Sequence, residues 1–149
     1  MVLICGCSQK NKIKPIVNNI AFTAKITINS SEYIGDASIE NSVINIAIKE
    51  PENIKGLLLS IDKNGIQAKF NGVSYNSAID SLPHSAFCVA IYDVIGDIAD
   101  KNLVYSDENC KIEGEVAAGK YAFVFSPTGL PLYLEFENIK IEFNNVSLK

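Results

Sequence analysis

Over most of this chain hydrophobic residues recur at every second position. Phe22, Ala24, Ile26 and Ile28 alternate with Thr23, Lys25 and Thr27, the period of a strand with one buried and one wet face. The same alternation predicts strands over 32–40, 43–49, 57–63, 66–71 and 73–76, and again over 103–106, 111–116, 120–126, 131–137 and 139–144. Asn64-Gly65 supplies the residue types that a type I′ hairpin needs at its two positive-φ positions, and Asn71-Gly72 repeats that chemistry or marks a bulge.

Two stretches depart from this period. Behind Pro15, the spacing of Ile13, Ile16, Val17 and Ile20 predicts one or two helical turns. Between the two strand groups, Phe87, Ala90, Ile91, Val94, Ile95 and Ile98 form a stripe at helical spacing, with Asp93, Asp97 and Asp100 on the other side. This predicts one principal helix from about residue 80 to 100, capped by Asp80 or Ser81. The expected fold is mainly β, of the α+β kind: a large curved antiparallel sheet, a half-open barrel, whose concave face the helix covers.

Composition sets limits on partners. The chain has 149 residues, 48% hydrophobic, enough for one domain with one core. Its net charge of −4 and the absence of any arginine argue against nucleic acid as a partner. Single lysines such as Lys25, Lys63, Lys69 and Lys140 sit among apolar neighbours, as on a solvated sheet face.

The N-terminal residues carry a different signal. In Ile4-Cys5-Gly6-Cys7-Ser8 a small residue precedes a cysteine, and the chain then turns polar through Gln9-Lys10-Asn11-Lys12. This resembles the lipobox of bacterial lipoproteins, whose cysteine takes a diacylglycerol and becomes the mature N-terminus. The resemblance implies lipidation at Cys7, a shortened signal segment over 1–7, a polar tether over 8–14 and one domain over 15–149. A signal peptide carries an apolar stretch of about 7–15 residues, longer than the run before Gly6. The implied location is the extracytoplasmic face of a cell membrane, in a Gram-positive organism, held by acyl chains that each contribute about 0.8 kcal/mol per buried methylene.

The order of elements behind that lipobox resembles the LolA/LolB-like lipoprotein carriers and small lipoproteins of low-GC Gram-positive bacteria with the same half-open barrel. Ile54-Lys55-Gly56-Leu57 and the helix-opening Ser81-Leu82-Pro83 carry the second likeness. Relatives of that fold hold acyl chains between sheet and helices, so the resemblance implies a hydrophobic ligand here. Without arginine, a mechanism that locks the barrel through an arginine does not transfer.

No residue set announces chemistry. His84 is the only histidine and stands near the start of the expected helix without a nucleophile–carboxylate pairing. Ser85 lacks a Gly-x-Ser-x-Gly setting. Glu113 with Glu115, and Glu135 with Glu137, point away from the apolar face, and the helical aspartates lack a calcium-loop pattern. No metal site or cofactor is expected, and the protein reads as non-catalytic. Cys88 and Cys110 are expected as buried free thiols, with a bridge between them as the alternative if their Cα atoms come within about 7 Å. Phe22, Ile26, Phe87, Ile91, Phe123, Phe125 and Phe136 face the junction of sheet and helix, where a packed core and a ligand cavity share one composition. Two readings follow: a membrane-anchored carrier or binder of a hydrophobic ligand, and a structural or protein-interaction lipoprotein with a filled core.

Overall fold

The computed structural model describes residues 12–83, 86–103 and 108–149. Strands β1 (Ile20–Ile28), β2 (Ser31–Glu40), β3 (Val43–Glu50), β4 (Leu58–Asp62), β5 (Gly65–Phe70) and β6 (Val73–Ser77) form one antiparallel meander. Helix α1 (Phe87–Ile98) follows, and β7 (Cys110–Val116), β8 (Gly119–Phe125), β9 (Pro131–Glu135) and β10 (Ile139–Leu148) form a second meander. Pairing of β10 with β1 joins the two into one sheet of ten strands, ordered β6-β5-β4-β3-β2-β1-β10-β9-β8-β7. The sheet is open: β6 and β7 are its edges, and the chain passes from one to the other through α1.

That connection positions the helix. α1 touches β7 at one edge of the sheet and β4 towards the other, so the sheet must curl around it. Its apolar stripe, Ile91, Val94, Ile95 and Ile98, joins one core cluster with Ile20, Phe22, Ala24 and Ile26 of β1, Ile44 and Ile46 of β3, and Phe123 and Phe125 of β8. At roughly 25 cal/mol per Å² of apolar surface removed from water, this contact is the main force that holds the curl. Lys25, Lys69, Lys140, Glu113 and Glu135 belong to the other face, which remains wet.

Several expectations need correction. The segment around Ile13 is not helical: the Leu103 amide donates to the Ile13 carbonyl at 2.7 Å and the Ile16 amide to the Gly129 carbonyl at 2.8 Å. Pro15 has no N–H to give a helix, and inter-segment bonds take its neighbours, while Ile20 opens β1. The principal helix begins later than residue 80. Ile79–Ser81 is a single 3-10 turn, the Ser81 hydroxyl is spent on the Ala78 carbonyl at 2.7 Å, and Leu82, before Pro83, is extended as a pre-proline residue prefers. The N-cap position is Ala86, without a side-chain cap.

Asn64-Gly65 is not the centre of its turn. Asp62 pairs with Gly65, leaving Lys63-Asn64 as the loop, and the Asp62 carboxylate accepts the Asn64 and Gly65 amides at 2.7 and 3.2 Å. Asn71-Gly72 does make the two-residue turn between Phe70 and Val73, with φ of 48° and 78°, values that suit type I′. Leu103 makes an isolated bridge to Ile13, and the rest of the strand expected at 103–106 lies outside the described residues. So do Cys7, His84 and Ser85.

Candidate functional site

A cluster of aromatic rings lies among the aliphatic side chains between helix and sheet. Phe123 stacks on Phe125 with centroids 4.3 Å apart and on Phe143 at 5.4 Å, and Phe143 meets Phe22 at 4.6 Å. Phe123 and Phe125 have no solvent exposure. Alternation along β1, β8 and β10 brings these rings to one face, and pairing of β1 with β10 brings Phe22 and Phe143 together, since Phe143 lies opposite Ala24. Among the residues expected at this junction, Phe22, Ile26, Ile91, Phe123 and Phe125 are buried core, and Phe87 is partly buried against it.

Phe136 has a different setting. It lies just past β9, half-buried, and its ring is 6.2 Å from that of Tyr121. With Ala90 of α1, the β7–β8 turn at Ala118 and Gly119, and Ile139, it lines an open cleft of about 670 Å³. Ala90 and Ile139 are themselves almost wholly buried, so the cleft reaches core side chains. Lys120, Glu137 and Asn138 supply its polar groups. A second hollow of about 280 Å³ lies on the Tyr92 side of α1, between Val17, Ile95 and Ala99. Open space thus lies along two flanks of the helix, beside the ring cluster.

A latch holds the last turn of the helix. The Tyr121 hydroxyl donates to the Asp97 carboxylate, and Lys101 reaches the same oxygen at 2.6 Å and the Tyr121 oxygen at 3.2 Å. Lys101, then Tyr121, holds the Asp97 carboxyl below its ordinary range. Burial, followed by the Asp97 bond, pushes the Tyr121 hydroxyl up, and the Asp97 bond raises Lys101. Helical spacing alone puts Asp97 on the solvated side of the helix; the curl of the sheet brings Tyr121 to it. The signals were the inward parity of Tyr121 with Phe123 and Phe125 and the four-residue spacing of Asp97 and Lys101. Gly114 sits opposite Tyr121 in β7, and a Cβ there would come within 2.6 Å of the tyrosine ring.

Glu113, Glu115, Glu135 and Glu137 are exposed, and Glu113 is held low by Lys111 across 2.5 Å. Cys88 and Cys110 are free thiols, and burial pushes Cys88 up. Among the described residues no group of His, Cys, Asp and Glu is placed to hold a metal. No described helix is long and apolar enough to cross a membrane.

No family model matches the chain, and no curated protein matches it. Solved structures do. The fold is similar to that of an uncharacterized conserved protein from Thermus thermophilus, with a TM-score of 0.52 and 7% identity over 90% of this chain and 80% of that one. A LolA superfamily protein from Nitrosomonas europaea also matches, at a TM-score of 0.47 and 12% identity, over 92% of this chain and 89% of that one. What the chain shares with the Thermus protein is the fold: one large antiparallel sheet curled against a helix.

Proposed function

We propose that this protein is a non-catalytic lipoprotein that binds an acyl chain or similar hydrophobic ligand beside α1, while a lipid on Cys7 holds it to the extracytoplasmic face of a cell membrane. The observation that carries the ligand is the cleft at Ala90, Phe136 and Ile139: about 670 Å³, the size range of small-molecule sites, and continuous with the apolar core. Its mixed lining suits an amphiphile. The chain would lie against Phe136 and Ala90, and the headgroup would meet Lys120 and Asn138. The anchor rests on the Ile4-Cys5-Gly6-Cys7 pattern.

Native mass spectrometry of the protein taken from its own membrane tests both parts. The expected result is a co-purifying lipid and an acylated Cys7 at the mature N-terminus. A ligand-free protein sinks the first part, and an unprocessed N-terminus sinks the second.

A second reading, a protein-interaction lipoprotein, is favoured by the edge strand β6. Val73 and Tyr75 are 70% and 57% exposed there, on a strand whose outer edge pairs with no other described strand and to which a partner strand could add. A photocrosslinking residue at position 75 would capture that partner in cells; capture of nothing but lipid would leave the first reading alone.

A further inference from the structure

The wet face of the sheet carries a groove of its own. About 530 Å³ in volume, it crosses β2 to β5 on the side away from α1. Strand register sets out its lining in rows. Ser38 lies opposite Asn45, Asn45 opposite Ser60, and Ser60 opposite Gln67, so four uncharged hydrogen-bonding side chains stand in line across four consecutive strands. None of the four makes a side-chain hydrogen bond to another described residue. In the adjacent row Ala47 lies opposite Leu58, and Leu58 is 49% exposed.

We propose that this groove binds an extended, uncharged glycan laid across the strands. Neighbouring strands are about 4.8 Å apart, close to the advance of one sugar ring in an extended β-linked chain, so each ring would meet one side chain of the row. The row spans about 14 Å at that spacing. Amide and hydroxyl groups both donate and accept, which matches sugar hydroxyls, while Ala47 and Leu58 offer an apolar strip to the C–H face of a ring. Two of the charges beside the groove are already paired, Asp36 with Lys49 at 2.6 Å and Lys149 with Glu40, and Lys69, opposite Leu58 at the end of the apolar row, is left to donate to a sugar hydroxyl. A peptide strand could not add here, because the backbone groups of β3 and β4 are already used by neighbours on both sides. The site lies on the opposite face from the cleft at α1 and stands or falls independently of the lipid reading.

The test is an NMR titration of the full chain with cellohexaose and with chitohexaose at millimolar concentration. The expected result is that one of the two shifts the side-chain amide signals of Asn45 and Gln67. Asn45→Ala and Gln67→Ala should each weaken that binding about tenfold, as loss of a ligand hydrogen bond does, with the melting temperature unchanged because both side chains are exposed. No shift in the groove with either sugar, shifts confined to the residues around Phe136, or undiminished binding by both variants would overturn the proposal.

Discussion

The Tyr121 hydroxyl donates to the Asp97 carboxylate, tying strand β8 to the last turn of α1 near the edge where the sheet would otherwise be free to flatten. Lys101 binds the same carboxylate at 2.6 Å. The hydrogen bond is charge-assisted, and Tyr121 is almost fully buried. Tyr121→Phe should therefore lower stability by about 1 kcal/mol, read as a lower urea midpoint with an unchanged slope.

The same latch sets a pH dependence with two limits. Asp97 is held below its ordinary value, so its contribution is complete above about pH 4 and is lost as pH falls below that. Tyr121 and Lys101 are raised, so their contribution is complete below about pH 10 and is lost as pH rises beyond it. Denaturation curves from pH 2 to 11 should show wild type and Tyr121→Phe converging at both ends. A constant difference across the range would show that the latch adds nothing through ionisation.

Gly114 should be intolerant for a reason specific to its neighbour. A methyl group at this position meets the Tyr121 ring at 2.6 Å, and the latch prevents the ring from moving aside. Gly114→Ala should cost about 1–3 kcal/mol as overpacking does. In the Tyr121→Ala background the same change should cost much less, so a double-mutant cycle should report coupling of at least about 0.5 kcal/mol.

Phe123 lies at the centre of the ring cluster, stacked on Phe125 and Phe143 and without solvent exposure. Phe123→Ala should cost about 3–5 kcal/mol, measured by thermal or urea unfolding. A loss below about 1 kcal/mol would mean that the cluster collapses into the vacancy.

A charge placed in the cleft should separate ligand binding from folding. Phe136 packs against the core with its ring 6.2 Å from that of Tyr121, so Phe136→Asp should lower stability by about 1–3 kcal/mol while the chain still folds. The expected result is little or no co-purifying lipid by native mass spectrometry, with a lower melting temperature but a transition that remains cooperative. Undiminished lipid in this variant would place the ligand elsewhere.

The strands were legible because a strand signals itself locally. Phe22 to Ile28 alternate, and the buried pattern of β1 follows that alternation. The errors fell where local signals compete. Ile13, Ile16 and Val17 have helical spacing, but bonds to Leu103 and Gly129, far along the chain, hold this segment extended. Ser81 looks like a cap, yet Pro83 separates it from the helix and its hydroxyl turns back to Ala78. Of the residues expected near a ligand, only Phe136 lines the cleft; the cleft depends on turns at Ala118 and Asn138 that approach Ala90 in space alone.

Period-two alternation, interrupted once by a helical stripe, was sufficient to specify an antiparallel sheet with one covering helix, because side-chain direction in a strand or helix depends only on position along the chain. Which strands close the sheet, how the rings of Phe22, Phe123 and Phe143 fill it, and where space is left could be decided only in three dimensions. Those outcomes depend on the pairing of β1 with β10 and on curl around α1, contacts between residues far apart in the chain. The same long-range register lined up Ser38, Asn45, Ser60 and Gln67 on the outer face, a row with no signature in the order of the residues.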